Sequence, residues 1–301
     1  MAAKLLMYFT ASGHSVYRWR RGHLQFEARF SADDAGVTRF REYFNGRAGA
    51  LVQVVADLGG EDFHEDQIPD LRGAERQAVI ERRLAQRYRD ARLAVALPLG
   101  YTSGERRNER LLLASFNDSR QFVAWLDVLE GARARVAGIY STPLFAPALA
   151  ARLGVKGGSC FVMSANRAGL RQCFVENGRL RFARLERPRQ AGASMSAAFV
   201  RAETERMLQY LATLRALPRD APAMRAILIV ADEERADFEH ALGGDARIAF
   251  ATIGMAEAAR RAGLHPAPDD GGAELLYLQL AGLQPPNAQF LRREDRRSFL
   301  V

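Results

Sequence analysis

Gly22-His23-Leu24-Gln25-Phe26 and Gly178-Arg179-Leu180-Arg181-Phe182 are the two stretches on which the fold is read. Each is a turn glycine followed by an alternating run, the pattern of a hairpin whose second strand buries one face. The first copy follows Arg20-Arg21 and the second follows Asn177, a strong turn former. A basic–apolar pair returns as well, Arg29-Phe30 against Arg184-Leu185, with a one-residue gap. Taken alone, Gly-x-Leu-x-Phe also fits any hairpin. Its weight comes from its position within two similar runs of elements.

Working outward, the first half predicts strands at 5–9, 16–19 and 23–30, a helix at 36–44 and a buried strand at 51–55. Ile80, Leu84 and Tyr88 at helical spacing predict a helix over 69–89. Strands at 93–97 and 110–115 come next. Ser119 then caps a helix carrying Phe122, Leu126 and Leu129. A strand at 136–140 leads to Thr142-Pro143, a cap and first-turn signal for a helix reaching about Leu153. The glycines Gly154, Gly157 and Gly158 mark a boundary, after which the order restarts. Strands are predicted at 160–164, 169–176 and 179–185, then a helix at 196–217, a strand at 226–231 and a helix at 233–242. A strand at 247–252 and helices at 255–262 and 273–283 complete the half. The expected domains are 1–154 and 155–283, followed by a basic tail at 284–301. The expected class is α/β, with two mixed-sheet domains facing each other across a cleft.

Composition bounds the function classes. The chain has 301 residues, 48% hydrophobic and 26% charged, the mix of an ordinary globular protein of about two domains. No apolar run reaches the roughly 18–20 residues that cross a bilayer, and no signal peptide is read at the start. Cys160 and Cys173 offer no disulfide framework, so a reducing compartment is expected. The net charge of +8 is carried almost entirely by arginine, with Lys4 and Lys156 the only lysines. Those arginines are interspersed with acids and form no aromatic-interleaved stripe, so no nucleic-acid partner is expected.

The doubled plan resembles the actin-like fold of actin, Hsp70, sugar kinases and the pilus-assembly protein PilM. Several segments resemble more specifically the cytoplasmic domain of the L-type protein of type II secretion and its type IV pilus relatives. They are Gly60-Glu61-Asp62-Phe63 before Ile68-Pro69, Gly138-Ile139-Tyr140-Ser141, Gly169-Leu170-Arg171-Gln172 with its partner strand, and Pro285-Pro286-Asn287-Ala288-Gln289-Phe290. The resemblance spans about residues 4–291 and implies a cytoplasmic scaffold at the bacterial inner membrane. Its implied partners are a secretion or pilus-assembly ATPase and other platform subunits, with a homodimer also open.

Actin-like ATPases hold phosphates with two hairpin loops, each with an Asp-x-Gly motif whose aspartate organises Mg²⁺. Here the first loop reads Thr10-Ala11-Ser12-Gly13-His14-Ser15 and the second Ser164-Ala165-Asn166-Arg167-Ala168-Gly169, and neither contains a carboxylate. The resemblance therefore implies vestigial nucleotide positions at Ser12, Gly13, Ser164, Gly169, Gly271 and Gly272. No hydrolysis and no bound cofactor are expected. A nucleotide-binding PilM-like switch and a degenerate sugar-kinase-like enzyme remain the alternatives. The five histidines, at 14, 23, 64, 240 and 265, are scattered without metal-ligand spacing. The run Glu61-Asp62-Phe63-His64-Glu65-Asp66 fits a cation site, a solvated loop or an edge strand, and the pattern favours the last two. For partner binding the expected residues are Trp19, Arg20, Arg21, Glu61 and Asp62, with Trp19 either an interface anchor or a strand residue packed under a helix. Arg292, Arg293, Arg296 and Arg297 form a basic cluster expected to lie near a membrane, with the native chain continuing past Val301 into a span.

Overall fold

The computed structural model describes residues 4–88, 93–103, 107–116, 120–166, 168–188, 195–214, 222–243, 246–265 and 272–291. In chain order the elements are β1 (Lys4–Thr10), β2 (Gly13–Arg20), β3 (His23–Ser31), α1 (Asp34–Phe44), β4 (Leu51–Asp57) and β5 (Glu61–Pro69). Next come α2 (Gly73–Arg87), β6 (Ala94–Tyr101), β7 (Asn108–Phe116), α3 (Arg120–Gly131) and β8 (Arg135–Ser141). A 3₁₀ turn over Thr142–Phe145 leads to α4 (Ala146–Arg152), β9 (Ser159–Asn166), β10 (Gly169–Glu176), β11 (Arg179–Glu186) and α5 (Ala197–Thr213). The chain continues with β12 (Met224–Val230), α6 (Arg235–Leu242), β13 (Ile248–Gly254), α7 (Met255–Ala262) and α8 (Glu274–Leu283).

Two compact units result, one of residues 1–145 with 281–301, the other of 146–280. The division falls before α4 rather than at the glycines near 154, because α4 packs against β9, β10, β11 and α7. Arg152 donates to the Ala262 carbonyl at 3.2 Å and Arg261 to the Leu153 carbonyl at 3.0 Å, fastening that helix to the second unit.

The main sheets have one topology. The first is ordered β3-β2-β1-β4-β8 and the second β11-β10-β9-β12-β13, each with two antiparallel hairpin pairings followed by two parallel ones. β4 and β12 are parallel on both sides, and their apolar sequences are buried nearly throughout, as strands covered on both faces require. Arg21 and Gly22 turn the first long hairpin with φ of 52° and 87°, and Asn177 and Gly178 turn the second with 49° and 72°. Both are the primed turns that match strand twist. The offset from Gly13 to Gly169 relates the hairpins throughout, so the expected one-residue gap does not exist. Arg29 pairs with Ser15 and Leu185 with Arg171, while Arg184 occupies the place of Ala28. Each hairpin contains one bulge, at Glu27 and at Arg181.

The first unit carries an insertion between β4 and α3. β5, β7 and β6 form a separate three-stranded sheet, and α2 covers one face through Ile80 against Ile68, Leu111 and Leu113. In the second unit a 3₁₀ turn over Asp232–Glu234 stands in its place. Thr142–Phe145 and α4 replace the single helix expected after Thr142-Pro143.

Beneath α5 lies a polar network inside an apolar layer of Phe161, Met163, Phe174, Met207 and Leu228. Arg184 donates to the Gln172 side chain at 2.8 Å and to Glu203 at 3.3 Å, and Gln172 donates to Thr204 at 3.2 Å. Arg184 is half-buried, and buried Glu203 keeps Arg206 as a second partner, so losing Arg184 removes charged hydrogen bonds without stranding the acid. Arg184→Ala is therefore expected to cost about 2 kcal/mol, and Arg184→Met combined with Glu203→Leu to recover most of it. Urea unfolding of the wild type and the two variants checks this.

Candidate functional site

The two loops where the resemblance places phosphates are built alike. Gly13 opens β2 at φ 156° and Gly169 opens β10 at φ 132°. A Cβ at Gly13 would stand 2.6 Å from the Phe30 carbonyl oxygen, and one at Gly169 would stand 2.3 Å from that of Glu186. The same hairpin contact thus excludes a side chain in both units.

The hydroxyls of these loops have partners within the chain. Thr10 donates to the Gly13 carbonyl at 2.7 Å, with Ser12 3.2 Å from the Thr10 hydroxyl. Ser164 is buried against the Tyr277 hydroxyl of α8 at 3.0 Å. At the third vestigial position, Glu274 folds back so that its carboxylate lies where a Cβ on Gly272 would be. Gly271, Arg167 and the Asn166 side chain lie outside what the structure describes.

Two carboxylates that the sequence reading did not single out occupy corresponding places. Asp57, fully buried at the end of β4, accepts from the Tyr8 hydroxyl at 2.7 Å and from the Thr142 hydroxyl at 3.0 Å. Asp232, just past β12, accepts from the Ala256 amide at 2.9 Å at the start of α7. In each unit an acid at or just past the end of a central parallel strand, β4 or β12, ties down the segment that follows the sheet's last parallel strand, β8 or β13. Among the described residues no group of three or more His, Cys, Asp or Glu is placed to hold a metal ion.

His14 takes the place that Leu170 holds in the second unit. Its ring stacks on Phe9 at 3.8 Å and meets Trp125 edge-on at 4.0 Å, with both nitrogens buried and without hydrogen-bond partners. Burial lowers its pKa from 6.5 to about 3. Unfolded, the imidazole takes up a proton below about pH 6.5, whereas the folded one does not until about pH 3. Its contribution is intact above pH 6.5 and is lost as pH falls, by at most about 1.4 kcal/mol per pH unit. His14→Leu should be more stable than the wild type, by a margin that widens from pH 6.5 toward pH 4. A constant margin across denaturation curves in that range would refute this.

The expected partner-binding residues divide. Arg20 and Arg21 are exposed at a hairpin end. Asp62 is paired with Arg87 at 3.2 Å; along the same strand Glu65 pairs with Arg110 at 3.1 Å and Asp66 with Arg83 at 3.6 Å. Glu61 is half-buried at the start of β5. The acidic run is thus an edge strand neutralised by its own neighbours, a form that also discourages edge pairing. Trp19 is half-buried. A Cβ on Gly282 would be 2.2 Å from its indole nitrogen, and Lys4 lies 4.5 Å over its ring while donating to the Gly282 carbonyl at 2.8 Å. Trp19 packing under a helix end is what the structure contains. Gly282→Ala and Trp19→Ala should each lower stability by at least about 2 kcal/mol. The double variant should lose less than their sum, because the clash disappears with the ring. Chemical denaturation of all three measures the coupling.

Two segments singled out for the resemblance meet on β8. The Ile139 amide donates to the Gln289 side-chain oxygen at 3.1 Å, its carbonyl accepts from the Phe290 amide at 2.8 Å, and Gln289 donates to the Ala137 carbonyl at 3.3 Å. Phe290 is fully buried with its ring 4.6 Å from Phe116. Arg292, Arg293, Arg296 and Arg297 lie outside the described residues. No described helix is long and apolar enough to cross a membrane.

No protein-family model matches the chain, and no curated protein matches its sequence. Solved structures match its fold. The PilM–PilN type IV pilus biogenesis complex has a TM-score of 0.62 at 13% identity, covering 94% of this chain and 99% of that one. An actin-like ATPase-fold protein from Bacteroides thetaiotaomicron has a TM-score of 0.48 at 12% identity, covering 92% and 95%. The cytoplasmic domain of EpsL, an inner-membrane component of type II secretion in Vibrio cholerae, has 0.40 at 13%, covering 87% and 94%. The first carries the fold assignment. With the repeated sheet order, it makes this chain an α/β protein of two actin-like units.

Proposed function

We propose that the chain is a non-catalytic actin-like scaffold of a type II secretion or type IV pilus assembly platform, acting at the cytoplasmic face of the inner membrane. The observation that carries this reading is the fate of the two phosphate loops. Both retain a glycine whose absent side chain is required by hairpin packing, and both lack the acid that would organise Mg²⁺. Phosphoryl transfer relies on positioning and on metal-borne neutralisation of charge, and neither loop offers the carboxylate that usually organises the metal. A binding role is supported by the fold shared with a complex that, by its name, pairs PilM with PilN. The partners in this reading are the assembly ATPase, whose turnover the scaffold couples to the membrane, and other platform subunits.

The test has two arms. With Mg²⁺ and ATP, steady-state phosphate release should not exceed that of a mock preparation. Turnover that is lost on Ser164→Ala or Thr10→Ala would overturn the non-catalytic reading. Tight MgATP binding without turnover, measured by calorimetry, would instead favour the PilM-like switch. In the second arm, affinity purification from native membranes should recover an assembly ATPase and platform subunits in stoichiometric amounts. Their absence would remove the scaffold assignment.

A further inference from the structure

The β2–β3 hairpin separates its charges by face. Its one carboxylate, Glu27, is held on one side by Arg18, Arg47 and the Tyr43 hydroxyl. The opposite face carries no acid from either strand. There Trp19 stands across from Lys4 and Leu24, Tyr17 across from Phe26, and Ser15 across from Arg29. Phe26 is 53% exposed, with the Arg29 guanidinium 5.8 Å from its ring, and Leu283, next to the Gly282 that covers Trp19, is 42% exposed. Exposed apolar side chains set among arginines and a lysine are the composition of a membrane-interface contact.

The turn places further charge beside this face. Arg21 sits at φ 52°, a left-handed position that favours Asn or Gly, and the corresponding residue of the other unit is Asn177. Arg21 is exposed. Exposed Arg133 adopts φ 54° as well, so the turn conformation by itself assigns Arg21 no role, and its charge and place are what matter. What arginine brings here is a positive charge at the most projecting point of the hairpin, beside Arg20.

We infer that this face of the hairpin, with Phe26 and Arg29 on it, Arg21 at its turn and Leu283 of α8 beside it, docks onto an anionic lipid surface. The arginines meet headgroup phosphates while Phe26 and Leu283 enter the headgroup boundary. The contact is separate from the scaffold reading, because purified protein and protein-free vesicles suffice to test it. A basic residue near an anionic leaflet is worth about a fivefold change in affinity.

Co-sedimentation of the full chain with phosphatidylcholine vesicles, with and without phosphatidylglycerol, tests the inference. Binding is expected only with phosphatidylglycerol and should weaken as salt is raised. Arg21→Asn, which relieves the turn, should reduce it about fivefold, and adding Arg29→Gln about fivefold again. Phe26→Ser should weaken it without changing the salt dependence. Circular dichroism confirms that each variant is folded. Three results would overturn the inference: equal binding to both vesicle types or to neither; binding unchanged by the three substitutions; and binding lost only when Arg292, Arg293, Arg296 and Arg297 become glutamine, which assigns the contact to the tail. Where neither vesicle type binds, retention on immobilised polyglutamate would identify an acidic protein as the occupant.

Discussion

In both units a backbone oxygen occupies the space that a side chain would need. The third strand of each hairpin ends with its carbonyl against the glycine that opens the second strand, Phe30 against Gly13 and Glu186 against Gly169. Almost any other residue there would push the third strand off the sheet edge, because the clash is with main chain and no rotamer relieves it. This constraint separates the two halves of an Asp-x-Gly motif. The glycine answers to packing and persists whatever the site does. The acid answers only to metal and phosphate, and in this chain neither loop has one.

The carboxylates that remain near the ends of the parallel strands do different work. Asp57 and Asp232 hold the chain where it leaves β8 and β13, through Thr142 in one unit and the Ala256 amide in the other. Elsewhere the units diverge. Where the second unit makes a short turn, the first inserts a sheet and α2, with Arg83 and Arg87 drawn onto the acids of β5. Exposed pairs of this kind contribute little each. Their collective effect is to leave β5 charged and unattractive to a foreign strand.

The repeat was legible because its signals are local. Asn177-Gly178 and Arg21-Gly22 are turn chemistry, and the apolar runs of β4 and β12 are buried for a reason that composition reveals. The limits of the reading are equally physical. Arg29-Phe30 and Arg184-Leu185 match in composition alone, and the pairing shows that the equivalent of Arg29 is Leu185. A domain boundary depends on what a helix packs against, and α4, which precedes the glycines near 154, packs with the second unit. Asp57, Asp232 and Glu203 carried no motif, since their partners are distant in sequence. Trp19 was open to two interpretations because a half-buried ring and an interface anchor look the same until Gly282 is brought beside it.

The strap of Gln289 and Phe290 on β8 has a meaning for colloidal behaviour. β8 ends its sheet, and an end strand exposes a row of backbone donors and acceptors to any chain nearby. The Gln289 amide imitates a peptide group, and with the Phe290 amide it occupies Ala137 and Ile139 as a neighbouring strand would. The last described segment is thus a built-in stopper. A chain cut short before it would keep nearly all of its core yet offer a vacant sheet margin to its own copies, so such a fragment would fail by sticking together rather than by unfolding.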